Sequence, residues 1–196
     1  IKGTSEFGKE LDSLTDFVSF GIAPAFILYF WELNNYGKLG WAITLIYSVC
    51  CVLRLARFNL TKIEDNAEWK NNFFEGIPSP AGGLLVLMPL IYELTNLNFG
   101  IEIKQLTPYL TVLVAILLVS KIPTLSLKKI IISPRATVFL LLGAGIVFIA
   151  LLFYTLEALL IFGISYLISI PISIIIYRKH NKKTEKISDD NHEDIL

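Results

Sequence analysis

The sequence predicts an all-α membrane protein, built as a polytopic bundle of transmembrane helices. Of its 196 residues, 54% are hydrophobic, and the mean hydropathy is +0.63. Both values are too high for an ordinary soluble domain. The apolar residues form six blocks, each near the length that crosses a bilayer: 10–31, 39–58, 80–97, 106–122, 136–154 and 157–177. We therefore expect six spans, with residues 1–177 forming one membrane domain.

The basic residues are distributed unevenly about these blocks. If all six cross, 15 of the 17 Lys and Arg residues lie on one side, and only Lys38 and Lys104 lie on the other. The positive-inside rule makes the basic side cytoplasmic, so the protein is predicted to be integral to the cell membrane. Residues 178–196 form a charged tail that we expect to be mobile. The net charge is zero, and we expect no nucleic-acid partner.

The boundaries between blocks follow from loop and breaker residues. The linkers 32–38 and 98–105 are short and nearly free of positive charge, as outside loops should be. Gly and Pro residues in 76–83 end the polar loop after the second block and start the third. Residues 120–129 form a cytoplasmic connector, and the last two blocks contain no Lys, Arg or Asp.

The strongest chemical signal is an acidic pair at the start of the first block. Asp12 and Asp16 are four residues apart, so both carboxylates project from one face of a helix. Gly8 lies one turn earlier on that face and leaves room for a ligand to approach the backbone. Carboxylates that enter a membrane segment suit a hard divalent cation and, through it, a phosphate. Helix capping or a simple salt bridge is the alternative interpretation of this pair.

These residues resemble a known family. Gly8-x3-Asp12-x3-Asp16 matches the second half of the CDP-alcohol phosphotransferase signature, D-x2-D-G-x2-A-R-x8-G-x3-D-x3-D. Counting back from Gly8 places the Arg of the first half two positions before Ile1. The resemblance thus implies two further metal-binding aspartates and about two more spans upstream. It also implies that a chain without that half is inactive alone.

Three later stretches narrow the resemblance to the membrane-integral phosphatidylserine synthases. They are Leu53-Arg54-Leu55-Ala56-Arg57-Phe58-Asn59, Gly76-Ile77-Pro78-Ser79-Pro80-Ala81 and Ser120-Lys121-Ile122-Pro123-Thr124-Leu125-Ser126-Leu127-Lys128-Lys129. The implied reaction transfers the phosphatidyl group of CDP-diacylglycerol, or of an archaeal CDP-lipid, to L-serine and releases CMP. The implied assembly is a homodimer, and the implied cofactor is Mg²⁺ or Mn²⁺, as two ions.

The resemblance also implies roles for individual residues. Asp12 matches a metal ligand, and Asp16 matches the general base that takes the proton of the serine hydroxyl and also contacts metal. Gly8, with Ser5 and Lys9 beside it, is expected to bind the CDP-lipid. The active site then lies at the cytoplasmic side of the membrane.

The acceptor site is a separate hypothesis, based on depth and charge. An arginine fork is well suited to hold the carboxylate of serine. Arg54 and Arg57 share a helix face at the cytoplasmic end of the second block, and Asn59, Lys121 and Ser126 lie at a similar depth. The alternative is that the basic residues only reach toward the membrane interface.

Two other functions stay open at this point. Another member of the family would use glycerol phosphate or inositol phosphate as the acceptor, which requires a denser basic pocket. A cation transporter would place its carboxylates near the bilayer midplane or in paired repeats. The position of Asp12 and Asp16 at a helix entrance beside Gly8 disfavours the transporter.

Overall fold

The computed structural model describes residues 6–61, 73–95, 102–125 and 134–193 of the chain. This part is almost entirely helical, with one short two-stranded ladder. The helices are α1 (Glu6–Phe17), α2 (Ala23–Trp31), α3 (Lys38–Thr61), α4 (Ser79–Leu94), α5 (Ile103–Val119), α6 (Pro134–Phe153) and α7 (Thr155–Glu193). A π-helical segment (Val18–Ile22) joins α1 to α2, and a 3-10 turn (Leu33–Tyr36) precedes α3. The strands are β1 (Phe73–Glu75) and β2 (Pro123–Leu125).

The π-helical segment makes α1 and α2 one continuous rod with a wide turn in its middle. The backbone carbonyl of Phe20 accepts a hydrogen bond from the Tyr47 hydroxyl of α3, at 2.8 Å. A Cβ on the buried Gly21 would lie 2.8 Å from the Phe17 ring and 3.1 Å from Cys51 Sγ. Only glycine therefore lets α3 approach this turn so closely. The wide turn changes the rotational phase between the acidic face of α1 and the buried face of α2.

The core lies where α3, α4 and α5 meet. Helix α3 packs along α5, and α4 packs against both α5 and α7. Helix α2 packs against α3 and α4. Leu28 of α2, Tyr47 of α3, Val86 of α4 and Leu118 of α5 are fully buried between these helices. The close approach of α4 to α5 depends on Gly82, where a Cβ would lie 2.7 Å from Leu118 Cδ2. Burial of these side chains fixes the positions of the helices relative to one another.

The antiparallel β1–β2 ladder joins the segment before α4 to the segment after α5. Its register pairs Phe73 with Leu125 and Glu75 with Pro123. Next to it, the Gly76 N–H donates to the Ile122 carbonyl at 2.8 Å. Gly76 has φ of +77°, which disfavours any residue with a side chain. The sequence did not predict this ladder, because the pairing joins segments about 50 residues apart.

Three helices in the described residues are long and apolar enough to cross a membrane: Phe7–Trp31, Lys38–Asn59 and Thr155–Ile175. They contain three of the six predicted blocks. The other three blocks correspond to shorter apolar helices, Ser79–Leu94, Ile103–Val119 and Thr137–Phe153. A 16-residue helix such as α4 is about 24 Å long, against about 30 Å for the hydrocarbon core. The all-helical bundle is confirmed, whereas six crossings and the two further upstream spans stay predictions.

Helix boundaries differ from the predicted blocks in several places. The third block was predicted as 80–97, but α4 ends at Leu94, and the fourth was predicted as 106–122, but α5 runs from Ile103 to Val119. Ile122 lies in the connection to β2, where its carbonyl accepts from the Gly76 N–H. Helix α7 also continues without a break past Arg178, where we predicted the charged tail to begin. The division into a domain at 1–177 and a tail at 178–196 stays a prediction.

Candidate active site

The acidic pair lies on α1 as the spacing predicts. Asp12 is exposed, and Asp16, one turn closer to the core, is half-buried. Gly8 and Lys9 are exposed on the preceding turn of the same helix. The pair is therefore accessible at one end of the bundle, next to a backbone position that carries no side chain.

Arg54 connects α3 to the start of α4. Its Nε donates to the Ile77 carbonyl at 3.1 Å, and its Nη1 donates to Ser79 Oγ at 3.0 Å. Its Cζ lies 5.2 Å from the centroid of the Phe58 ring. Arg54 is only 8% exposed, and Ser79 is fully buried. The guanidinium thus points into the protein and does not reach outward to the membrane interface.

Arg54 and Asp16 interact electrostatically across the gap between α3 and α1. Arg54 also interacts with Tyr166 on α7 and with Cys51 one turn earlier on α3. Cys51 in turn interacts with Ser79. Polar groups from α3, α4 and α7 therefore lie on the inner side of Asp16. A positive charge held at this place stabilises a carboxylate, and any further anion bound there, in surroundings that contain little water.

Arg57 lies one turn after Arg54 and contacts a different element. Its Nη1 donates to the Val119 carbonyl at the end of α5, at 2.7 Å. Lys121, two residues after Val119, is exposed. The two arginines thus tie the end of α3 to the segments before α4 and after α5, which the β1–β2 ladder also joins.

Asn59 contacts the acidic helix directly. Its Nδ2 donates to Ser13 Oγ at 2.9 Å, and the Ser13 hydroxyl donates to the Lys9 carbonyl at 3.1 Å. Ser13 immediately follows Asp12, so this contact joins α3 to the helix that carries both carboxylates.

The residue types present fit a divalent cation only as part of a shared site. No group of three or more His, Cys, Asp or Glu side chains that could hold a metal occurs in the described ranges 6–61, 73–95, 102–125 and 134–193. Asp12 and Asp16 supply two carboxylates on one helix face. Magnesium is commonly bound by one or two carboxylates, with waters and phosphate oxygens of the substrate completing its coordination. The pair suits that mode of binding and not an all-protein cage.

The structure brings together most of the residues predicted for the site. Asp16 and Arg54 interact, Asn59 contacts the acidic helix, and Arg57 and Lys121 lie at the segment after α5. Ser5 and Ser126 lie outside the described residues. The sequence reasoning gave no role to Ser13, Ser79 or Tyr166. Ser79 lies within a quoted family stretch and Ser13 lies between the two aspartates, whereas the region of Tyr166 contained no recognisable motif.

Comparison with known proteins identifies the family. The family model described as CDP-alcohol phosphatidyltransferase matches residues 1–175. The chain belongs to this family. It is 36% identical over 186 residues to the CDP-diacylglycerol–serine O-phosphatidyltransferase of Mycobacterium leprae, covering 91% of this chain and 58% of the relative. A protein of the same name from Helicobacter pylori is 34% identical over 165 residues, covering 84% of this chain and 66% of the relative.

A relative of that name from Methanocaldococcus jannaschii matches a shorter stretch at higher identity. It is 43% identical over 84 residues, which cover 42% of this chain and 36% of the relative. The chain spans about three fifths of the length of the Mycobacterium leprae relative and 66% of the Helicobacter pylori relative. Family membership and the three long apolar helices together indicate that the protein is integral to a membrane.

Proposed function

We propose that the protein transfers the phosphatidyl group of a CDP-lipid, CDP-diacylglycerol or its archaeal counterpart, to the hydroxyl of L-serine. The observation that carries this proposal is the accessible Asp12–Asp16 pair, with the buried Arg54 interacting with Asp16 from the inner side. The names of the relatives supply the acceptor and the donor.

The proposed reaction is a displacement at the phosphorus that carries the diacylglycerol group. The serine Oγ forms a new bond to this phosphorus, and the bond from the phosphorus to the oxygen of CMP breaks, so that CMP leaves. Asp16 takes the proton of the serine hydroxyl as the attack proceeds, because its carboxylate is half-buried and accessible from one side.

The diphosphate of the donor requires positive charge beside it. Asp12 and Asp16 would hold Mg²⁺ or Mn²⁺, which neutralises the diphosphate and makes CMP a better leaving group. Gly8 and Lys9, on the turn before the pair, would contact the nucleotide, as would Ser5. Since Gly8 has no side chain, the nucleotide can approach the backbone of α1 closely.

The proposed acceptor site lies between the end of α3 and the segment after α5, with Arg54, Arg57, Asn59, Lys121 and Ser126 as its predicted residues. A guanidinium has five N–H donors, so an arginine already bonded to carbonyl groups keeps donors for a carboxylate. The hydrogen bonds of Arg54 and Arg57 to protein acceptors support a preorganised pocket, since they fix the orientation of both side chains.

Two further parts of the proposal concern placement and assembly. The uneven distribution of Lys and Arg supports an active site at the cytoplasmic side of the membrane. The membrane position keeps the acyl chains of the donor in the bilayer while its headgroup reaches Asp12 and Asp16. We also expect the protein to act as a homodimer, as the family resemblance implies.

An acceptor screen tests this function. The full-length gene product in mixed micelles is given radiolabelled CDP-diacylglycerol with L-serine, glycerol 3-phosphate or inositol phosphate, and the lipid products are separated. The proposal predicts labelled phosphatidylserine with serine and no product with either phosphorylated acceptor. Product with a phosphorylated acceptor alone would contradict the choice of serine. Cation flux into vesicles that contain the protein, with no CMP release in the micelle assay, would contradict the transferase.

A further inference from the structure

Helix α1 carries the acidic pair, and much of its surface is exposed in the described part of the protein. Phe7, Leu11 and Leu14 form one apolar stripe along α1, and they are 76%, 52% and 60% exposed. The π-helical turn that follows offsets the face of α1 from the buried face of α2. The direction in which the carboxylates point therefore depends on this offset and on the specific contacts of α1 with its neighbours.

We propose that Asn59 is a positioning residue, which sets the rotation of α1 through its hydrogen bond to Ser13. Ser13 projects about 100° around the helix from Asp12 and about 60° from Asp16, at 100° per residue. A contact at this angle restrains rotation without occupying the acidic face. Asn59 then acts on the metal- and donor-binding side of the reaction, and this role replaces the contact with serine proposed for it in the acceptor site.

The hydrogen-bond geometry supports this role. The Asn59 amide donates to Ser13 Oγ at 2.9 Å, while the same hydroxyl donates back to the Lys9 carbonyl at 3.1 Å. Ser13 is thereby fixed both to its own helix and to α3. Asn59 lies in the last turn of α3, shortly after Arg54 and Arg57, which bond to other segments. The contact therefore fixes the position of the exposed α1 relative to α3, which other hydrogen bonds already hold in place.

This inference rests on the proposed function, and a double-mutant cycle tests it. The variants are Asn59→Ala, Ser13→Ala and the double variant in the full-length protein. The control is Thr15→Val, because the exposed Thr15 hydroxyl donates to the Leu11 carbonyl of its own helix and, among the described residues, bonds to no other helix. The measurements are kcat, the KM for serine, and Mn²⁺ affinity in the presence of CMP, from the electron paramagnetic resonance signal of the free ion.

We expect each single variant to lose about ten-fold in Mn²⁺ affinity and in kcat, at the lower end of what residues supporting metal ligands contribute. The KM for serine should not change, the double variant should lose no more than either single one, and the control should match wild type. Ser13→Ala lies at a helical position where alanine is favoured, so this variant retains the fold even if Asn59→Ala does not.

Three results would overturn the inference. A raised serine KM in Asn59→Ala with wild-type behaviour of Ser13→Ala would make Asn59 a direct acceptor contact. Multiplying losses in the double variant would show that the two residues act separately, and wild-type values throughout would show that the contact has no role. Failure of the wild-type protein to release CMP would instead contradict the proposed function, while the Mn²⁺ affinities would still test the Asn59–Ser13 contact.

Discussion

Gly76→Ala should destabilise the protein strongly, because this position combines two separate costs. The backbone has φ of +77°, which a residue with a side chain adopts at about 1–2 kcal/mol. The new Cβ would also lie 2.7 Å from the Ser120 carbonyl and 3.1 Å from the Leu118 carbonyl. Backbone carbonyls cannot move aside as a flexible side chain can, which adds about 1–3 kcal/mol.

Substitutions at two other glycines allow the backbone cost and the steric cost to be measured separately. Gly37 has φ of +55°, but a Cβ added there would meet no atom within 4 Å, so Gly37→Ala carries the backbone cost alone. Gly145 lies in α6 with nothing within 4 Å, so Gly145→Ala should be neutral or slightly stabilising. The free energy of unfolding should therefore fall in the order Gly145→Ala, Gly37→Ala, Gly76→Ala, with the last lower than wild type by about 3 kcal/mol.

Thermal unfolding in detergent, followed by circular dichroism, measures this series. For a chain of this size, about 3 kcal/mol corresponds to a Tm lower by about 6–12 °C. Gly76→Ala should also reduce activity, because the next residue, Ile77, supplies the carbonyl that accepts from Arg54. A Gly76→Ala protein as stable as Gly145→Ala would refute the close approach of the two segments beside the ladder.

Four further substitutions test the contacts of Tyr47, Arg54 and Arg57. Tyr47→Phe removes the donor to the Phe20 carbonyl in the π-helical turn and should cost about 1–2 kcal/mol, measured by the same thermal unfolding. Arg54→Ala and Arg57→Ala should each raise the KM for serine about ten-fold or more, since a hydrogen bond to a charged group contributes about 1.5–3 kcal/mol. An unchanged KM in both arginine variants would contradict the proposed acceptor site. Arg54→Lys should rescue little, because an ammonium cannot reproduce the two contacts of the guanidinium to Ile77 and Ser79.

The sequence was sufficient where function depends on local spacing. A separation of four residues places Asp12 and Asp16 on one helical face, and α1 has this form. The six apolar blocks likewise anticipate the apolar helices, because hydrophobic length is read directly from the chain. The fourth block was predicted to end at residue 122, which is three residues beyond the end of α5. Hydropathy does not detect that the Ile122 carbonyl accepts a hydrogen bond from the Gly76 N–H outside the helix.

The contacts between distant segments were beyond sequence reasoning. Arg54 was predicted to hold serine or to reach the membrane interface, and the structure shows it bonded to residues 23 and 25 positions later. The Asn59–Ser13 contact spans 46 positions and depends on how α3 crosses α1. Tyr166 reaches Arg54 only because α7 returns beside α4. Such pairings follow from packing of the whole bundle, for which no local pattern exists.

Serine-dependent release of CMP from CDP-diacylglycerol, with and without divalent metal, is the decisive test of metal-dependent transfer at Asp12 and Asp16. We expect release by the full-length protein with Mg²⁺ or Mn²⁺ and loss of release with EDTA. Rates should be at least about 100-fold lower in Asp12→Asn and Asp16→Asn. The Thr15→Val control on the same helix should keep the wild-type rate. Wild-type rates in both aspartate variants, or release that persists without metal, would show that the acidic pair does not hold a catalytic metal.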